Sequence, residues 1–135
     1  MADSLKVKVV SADRIIWEGE ATNVVARTTE GDVGILPGHS PMLSVLAPSA
    51  CEVVSVDGTR EVFAVDGGFV SVAAGEVSVL SEFATLGREL SVSDAEKLLA
   101  EAEAMLNDAD PDNDEQARTM HNRATAQLKA AHRAA

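Results

Sequence analysis

The chain has 135 residues and a formal net charge of -11, with 46% apolar residues but only 3% aromatic ones. This length fits one domain, or a small domain with an appendage, and the core must be built from aliphatic side chains. So acidic a protein repels phosphate backbones, which argues against nucleic acid as a partner. The single cysteine, Cys51, has no partner for an internal disulfide, as is usual in a reducing cytoplasm.

The sequence disfavours both membrane insertion and export. No run of 18 or more apolar residues occurs, so no segment is expected to span a bilayer. The first residues, MADSLKVKVV, show neither the apolar centre of a signal peptide nor the arginine-rich character of a transit peptide. We therefore expect the protein to stay in the compartment where it is made.

Short β-strands dominate residues 1–90. The stretch SLKVKVV alternates apolar and polar residues, and EVSVLS repeats the pattern with Val77 and Val79 on one face, as half-buried strands do. Asp57 and Gly58 separate two β-rich runs, which predicts a hairpin with a two-residue turn. With about ten short strands and no helix between them, the pattern predicts an antiparallel β-sandwich or barrel.

Residues 91–135 contain no glycine, are rich in alanine and show helical periodicity. Ser93 and Glu96 fit a capping box at the start of a first helix, and NDADPDND ends that helix because Pro111 and its Asx neighbours favour a turn. A second helix follows, which predicts an antiparallel two-helix hairpin. The apolar stripes are Val92, Ala95, Leu98, Leu99, Ala102, Met105 and Leu106 in the first helix and Ala117, Met120, Ala124, Leu128 and Ala131 in the second.

The second helix is basic although the protein is acidic. From Glu115 onward one acidic residue stands against four basic ones, Arg118, Arg123, Lys129 and Arg133. Two interpretations stay open: a solvated face whose cations complement the helix dipole, or a docking surface for an acidic partner. Because alanine buries little apolar surface, the hairpin is expected to be marginal alone and to depend on docking.

The stretch EGDVGILPGHSPMLSVL, residues 30–46, is rich in glycine and proline. Its glycines match neither a Walker loop nor a dinucleotide fingerprint, and three histidines without ligand spacing predict no metal site. His39 and Cys51 could serve a small hydrolase, but an isolated thiol is more often a small buried hydrophobe. We expect no catalytic residue and no cofactor, and we interpret the stretch as a rigid recognition loop on a β scaffold.

The same stretch resembles the ε-subunit family of F-type ATP synthases, whose pattern runs Glu-Gly-acid, aliphatic, Gly-Ile, aromatic or aliphatic, Pro-Gly-His-x-Pro-Leu-Leu. The segments SLKVKVVSADRIIWEGEATNVVA before it and FAVDGGFVSV after it resemble the family's opening strands and its later glycine-rich run. The resemblance covers essentially the whole chain. It implies a β-sandwich domain at residues 1–90 that binds γ and the c-ring, followed by a regulatory helical hairpin at residues 91–135.

The resemblance implies a non-catalytic rotor subunit of the central stalk, which couples proton-driven rotation to ATP synthesis in the α/β catalytic hexamer. In that family the sandwich binds the γ subunit on one side and rests on the membrane c-ring on the other. Carried onto this sequence, Gly31 and Asp32 contact the c-ring, whereas His39, Pro41 and Met42 contact γ. The implied location is peripheral, on the cytoplasmic face of the bacterial cell membrane.

These positions also have ordinary structural interpretations. Asp32 fits a solvated turn residue after a glycine, and His39 fits a loop histidine bonded to backbone. Met42 and Leu43 are more often core than interface residues.

The tail departs from the family pattern at one motif. Many bacterial ε subunits carry Ile/Leu-Asp-x-x-Arg-Ala on the first tail helix, which helps to bind ATP. The nearest match is SDAEKL, in which Asp94 is retained but Lys97 replaces the arginine and Leu98 the alanine. Lysine lacks the planar fork of arginine, so ATP binding through Asp94 and Lys97 is not expected.

The family's tail also inhibits ATP hydrolysis, because its helices extend along γ and basic residues reach acidic surface on a β subunit. The resemblance gives this role to Arg118, Arg123, Lys129 and Arg133, although a purely structural clamp would have the same composition. A stand-alone β-sandwich binding module is the alternative from another class. It is disfavoured because Trp17 is the only tryptophan and tyrosine is absent, which leaves no aromatic platform for a carbohydrate.

Overall fold

The computed structural model describes residues 4–108 and 114–134. These residues form nine β-strands, one short 3-10 helix and two α-helices. The strands are β1 Leu5–Ser11, β2 Arg14–Thr28, β3 Gly31–Ile35, β4 Met42–Leu46, β5 Ser49–Ser55, β6 Arg60–Val65, β7 Gly68–Ala73, β8 Glu76–Leu80 and β9 Ala84–Leu86. The 3-10 helix Gly87–Glu89 is followed by α1 Val92–Asp108 and α2 Asp114–Ala134.

Strand β2 is the longest strand and joins the two layers of the β domain. Its first half, from Arg14 to Ala21, pairs with β1, and its second half pairs with β5, β3 and β4. The sheet continues from β1 through β8, β7 and β4, and from β5 through β6 to β9. Strands β1 and β8 are parallel, whereas the other strand pairs of the described residues are antiparallel. The predicted β-sandwich is confirmed, with nine strands.

Alternate residues of the strands point into the space between the layers. Val77 and Val79 of β8 are buried, as are the three apolar residues that alternate with lysine in β1, so the predicted alternation is confirmed. The core is almost entirely aliphatic. Phe63 of β6 is its large exception, and Trp17 of β2 meets that ring edge to face with the centroids 6.2 Å apart. Trp17 is thus a packing residue rather than an exposed platform.

The turn between β5 and β6 differs from the prediction. The N–H of Gly58 donates to the carbonyl of Ser55 at 2.9 Å, so Val56 and Asp57 are the central residues of the turn. Gly58 follows them with φ +91. The Asp57 carboxylate accepts a hydrogen bond from the Thr59 N–H at 2.9 Å, which favours the longer loop. The two-residue turn predicted at Asp57 and Gly58 is therefore wrong.

A two-residue turn occurs instead between β7 and β8. Its residues are Ala74 and Gly75, with φ values of 51 and 79. Such a turn matches the twist of the flanking strands but requires positive φ at both positions. Ala74 adopts this conformation despite its Cβ atom, which costs free energy that glycine or asparagine would not.

Helix α1 begins two residues earlier than the predicted capping box. The Oγ of Ser91 accepts a hydrogen bond from the Asp94 N–H at 3.2 Å, and its carbonyl accepts one from the Ala95 N–H at 2.9 Å. The prediction that Ser93 caps the helix is therefore wrong. Leu90 packs against the small apolar cluster through which α2 contacts the sandwich, and this contact fixes the chain where it enters α1.

The two helices form the predicted hairpin, and α2 packs through two faces. Its first face carries the predicted stripe, of which Ala117, Ala124 and Ala131 are buried, and α1 packs along α2. Its second face places Ala126 and Ala130 on the sandwich. The sandwich side of this contact consists of Ala50 of β5 and of Val62 and Ala64 of β6. Central residues of the predicted NDADPDND turn, 109–113, lie outside the described residues.

Neither helix, over the residues described, is both long and apolar enough to cross a membrane.

Candidate functional site

The segment that joins β3 to β4, residues 36–41, is a proline-glycine loop. The N–H of His39 donates to the carbonyl of Leu36 at 3.0 Å, which closes a turn around Pro37 and Gly38. Gly38 has φ +88, a conformation that proline followed by glycine accommodates readily. The Nδ1 of His39 donates to the carbonyl of Ser40 at 2.7 Å. The loop is therefore held by its own backbone, and His39 has the local partner that its ordinary interpretation requires.

The predicted γ contacts differ in exposure. Pro41 is exposed at the end of the proline-glycine loop, whereas His39 is half-buried. Met42, the first residue of β4, packs against the main core. Leu43 points the other way and is 73% exposed. The expectation that Leu43 is a core residue is therefore wrong, because β4 turns Met42 and Leu43 to opposite faces.

The turn between β2 and β3 carries the predicted c-ring contacts. Gly31 has φ +124 and faces Thr28 in the register. Asp32 is exposed and accepts two hydrogen bonds from Arg27 across the pair, from Nε at 2.8 Å and from Nη2 at 3.2 Å. This pairing, rather than free solvation, lowers the pKa of the Asp32 carboxyl, and the charges of Arg133 and Lys129 lower it further.

The last turns of α2 lie beside this hairpin. Lys129 and Arg133 line one shallow cleft together with Arg27 and Asp32. The carbonyl of Arg133 also accepts a hydrogen bond from Nη1 of Arg60 at 3.4 Å, which satisfies an acceptor at the helix end. The docked hairpin therefore places two tail cations next to the predicted c-ring contacts, a proximity that the sequence did not indicate.

Apolar side chains are exposed in register on the outer face of the sandwich. Strands β4, β7, β8, β1 and β2 lie side by side there, and each contributes an apolar residue directly opposite the next. Val10 in β1 is half-buried, and the exposed fractions of the other residues run from 44% for Leu80 to 73% for Leu43. An exposed, continuous apolar surface marks an interaction site. This outer apolar patch comprises Leu43, Val45, Phe69, Leu80, Val10 and Ile15.

Part of this surface could have been found in the sequence. In GFVSV and EVSVL the outward positions include Phe69 and Leu80 where an exposed strand would carry polar residues. Strand β4, MLSVL, has apolar residues on both faces, so its pattern does not tell which face is buried. The lateral order that aligns Val45 with Phe69 and Leu80 comes from sheet topology alone.

The four predicted tail cations have different surroundings. Arg118 pairs with Asp114 one turn away on its own helix, at 2.9 Å. Arg123 pairs across the interface with Asp66 of the sandwich, Nε to Oδ2 at 2.8 Å. Lys129 and Arg133 are exposed beside the β2–β3 turn. Only one of the four, among the described residues, thus makes a close ion pair with the β domain.

Other predicted chemistry finds no assembled site among the described residues. Asp94 and Lys97 are exposed at the start of α1. Cys51 is buried in β5, and burial raises the pKa of its thiol to about 12. A protonated, enclosed thiol is a poor nucleophile, which argues against the hydrolase interpretation. No group of three or more His, Cys, Asp or Glu residues is placed to hold a metal ion in residues 4–108 and 114–134.

The fold is a β-sandwich with a two-helix hairpin folded against it, whose second helix carries most of the hairpin's basic residues. The family described as "ATP synthase, Delta/Epsilon chain, beta-sandwich domain" matches residues 4–87. The ATP synthase epsilon chain of Cutibacterium acnes is 52% identical over 94 residues, which are 69% of this chain and 64% of that one. The epsilon chain of Streptomyces avermitilis is 48% identical over 104 residues, 77% of this chain and 84% of that one. The chain belongs to the ATP synthase delta/epsilon family.

Two solved structures share the fold. A chain in the cryo-EM structure of the Euglena gracilis mitochondrial ATP synthase, containing OSCP, F1 and the c-ring, superposes with a TM-score of 0.82 at 25% identity and covers 98% of this chain and 83% of its own. A chain of the Tetrahymena thermophila central stalk and c-ring has a TM-score of 0.53 at 18% identity and covers 63% of this chain and 68% of its own. The Euglena match includes the tail, so the whole arrangement of sandwich and hairpin recurs in that structure.

Proposed function

We propose that this chain is a non-catalytic subunit of the central stalk of a bacterial F-type ATP synthase. In this role it sits peripherally at the cytoplasmic face of the cell membrane, between the c-ring and the catalytic hexamer, and helps to transmit rotation without transferring protons itself. Family membership supports the proposal, as does the Euglena structure, whose title places its chains in an assembly of F1 and c-ring.

The outer apolar patch is the observation that carries the role. We assign the γ subunit to it, because the proline-glycine loop that the family resemblance gives to γ leads directly into Leu43 and Val45 of the patch. The loop and the patch then form one surface with an apolar centre and a rigid edge. Such a surface suits a stable subunit contact, since the buried centre of an interface is apolar and enriched in aromatic residues such as Phe69.

The β2–β3 turn is proposed as the c-ring contact. Its exposed Asp32 and Arg27 form a bidentate pair, which presents both charges in a fixed geometry. Polar c-ring loops can form hydrogen bonds with either charge. A rigid β-turn transmits lateral force better than a mobile loop would, and torque transfer requires such stiffness.

Binding of the full-length chain to the γ subunit tests the role. We expect Phe69→Ser to weaken binding by about tenfold or more, because a central aromatic anchor is lost. Val56→Ser is the matched control, since Val56 is 54% exposed but lies in the β5–β6 turn. Tight γ binding by both variants, each folded by Trp17 fluorescence, would contradict the assignment of the patch to γ. Failure of the unmutated chain to bind γ would contradict the proposed function itself.

We further propose that the helical hairpin inhibits ATP hydrolysis when it leaves the sandwich. The supporting observation is the alanine contact of α2, which buries little surface and lets the arm detach at low cost. ATP hydrolysis by the hexamer with γ should be faster with a chain ending at Leu90 than with the full chain, both first shown to bind. Equal rates would leave the stalk role intact and reduce the hairpin to a structural clamp.

A further inference from the structure

Asp66 and Arg123 form an ion pair between the sandwich and the hairpin. Asp66 follows β6 in the stretch VDGGF, and Arg123 lies in the middle of α2. Nε of Arg123 donates to Oδ2 of Asp66 at 2.8 Å, and the Asp66 side chain is only 9% exposed. This is the most enclosed of the tail's ion pairs in the described part of the chain, and it joins elements that are 57 residues apart.

The sandwich fixes the direction of the Asp66 carboxylate. Its Oδ1 accepts hydrogen bonds from the Oγ of Ser81 at 2.9 Å and from the N–H of Phe83 at 3.2 Å. Oδ2 is thereby turned towards the hairpin. A preorganised acceptor of this kind loses little entropy when the arginine arrives.

Asp66 and Phe83 together form a socket on the sandwich that receives the Arg123 side chain. The guanidinium carbon of Arg123 lies 5.0 Å from the centroid of the Phe83 ring, within the range of a cation–π contact. Arginine suits this position better than lysine because its planar group stacks on the ring while its edge donates to the carboxylate. The socket therefore recognises both the charge and the shape of Arg123.

The rest of the docking contact is apolar but small. Ala126 and Ala130 meet Ala50, Val62 and Ala64, and methyl groups bury little surface. Towards the end of α2, Arg60 donates to the Arg133 carbonyl from an exposed position. Loss of the single enclosed ion pair should therefore lower the docked fraction of the hairpin substantially.

We infer that Asp66, Phe83 and Arg123 form a charge latch that holds the hairpin on the sandwich. While the latch is closed, Arg123 is occupied by an acidic residue of its own chain and is withheld from an acidic partner. Lys129 and Arg133 stay accessible in the same state. Among the four tail cations, Arg123 is therefore the one that pairs with an enclosed carboxylate of the sandwich in the docked state. The latch itself concerns the free chain, whereas its effect on hydrolysis rests on the proposed function.

Amide hydrogen exchange of the full-length chain tests the latch. In Arg123→Gln the amides of α2 should exchange about tenfold faster than in the unmutated protein, because the docked state is less populated. Arg118→Gln is the matched control, since it removes an arginine of the same helix whose partner is local, and should change exchange by less than about twofold. Equal exchange in Arg123→Gln and Arg118→Gln would overturn the latch.

Asp66→Asn provides a second, independent variant. Its amide oxygen keeps the acceptor for Ser81 and Phe83, so the sandwich should stay folded while the charge is lost. The effects of Asp66→Asn and Arg123→Gln should not add in the double variant, because both remove the same interaction. Fully additive effects would show that the two residues act separately and would overturn the pair as the latch.

The assembled complex separates the latch from the proposed function. Asp66→Asn should lower ATP hydrolysis, because it frees the hairpin and leaves Arg123 available, whereas Arg123→Gln should lower it less. If neither variant changes hydrolysis while α2 exchange is still accelerated, the inhibitory role fails and the latch stands. If exchange is unchanged in both variants, the latch fails whatever the hydrolysis rates are.

Discussion

The β-sandwich and the helical hairpin are held together by different kinds of contact. The sandwich encloses a continuous cluster of valine, leucine and isoleucine around Phe63, and aliphatic packing of this kind is strong and hard to rearrange. The hairpin contacts it chiefly through the small side chains Ala126 and Ala130, with the latch at Asp66 and a hydrogen bond from Arg60 to the end of α2. One chain thus combines a tightly packed anchor, the sandwich, with an arm, the hairpin, whose attachment depends on a few groups.

Phe63→Ala should have the largest effect, because it removes the largest side chain from the core of the sandwich. Removal of a fully buried phenylalanine costs about 3–5 kcal/mol of unfolding free energy, and Trp17 also loses its edge-to-face partner. Urea unfolding followed by Trp17 fluorescence measures the loss. A cost below about 1 kcal/mol would mean that the surrounding side chains collapse into the cavity, and would contradict a rigidly packed core.

Gly87→Ala should weaken docking of the hairpin while the sandwich stays folded. A Cβ at Gly87 would lie 2.9 Å from the Ala130 carbonyl oxygen and 3.0 Å from that of Val62, so α2 must move away, at a cost of about 1–3 kcal/mol. Gly34→Ala is the matched control, because nothing lies within 4 Å of its added methyl group. Helix exchange should rise in the first variant only, and similar exchange in both would mean that Gly87 is not a docking contact.

The buried thiol of Cys51 should make the stability of the sandwich depend on pH, with a smaller effect than the two substitutions above. Because burial raises the pKa of Cys51 to about 12, the unfolded thiol ionises first as the pH rises, and stability falls above about pH 9. From pH 7 to 10 the protein should lose roughly 1–2 kcal/mol more than Cys51→Ala does. Urea midpoints at the two pH values measure this difference. Parallel losses in both proteins would show that the thiol is solvated in the folded state.

Ala74→Gly should give the smallest effect and stabilise the anchor. Ala74 has φ 51 in the β7–β8 turn, and relief of this strain outweighs the added chain entropy by about 0.5–1 kcal/mol. Gly75, its neighbour, already has the favoured residue type for positive φ. A raised thermal midpoint measures the gain. A lowered midpoint would mean that the added conformational entropy of glycine in the unfolded chain outweighs the strain of alanine at positive φ.

Local patterns predicted most of the fold but not its lateral contacts. Strand alternation and alanine periodicity indicated the sandwich and the hairpin, because both depend on neighbouring residues. The cap at Ser91 was missed because Ser93, with Glu96 three residues later, offered a competing capping signal nearby. The second face of α2, with Ala126 and Ala130, was missed because alanine marks a buried helix face only weakly.

The candidate site was predicted in part for the same reason. The proline-glycine loop and the basic helix are contiguous in sequence and could be identified there. The outer apolar patch joins Val45, Phe69 and Leu80 from three strands, and the latch joins Asp66 to Arg123. Such pairs depend on strand order and helix docking, which a single sequence does not reveal.

Urea unfolding of the full-length chain, observed with two probes, tests the anchor-and-arm account most directly. Fluorescence of Trp17 reports the sandwich, and far-ultraviolet ellipticity reports chiefly the two helices, whose stability in a protein comes mainly from tertiary packing. We expect the helical signal to be lost at a lower urea concentration than the tryptophan signal. Coincident transitions would mean one cooperative unit and would contradict a detachable arm.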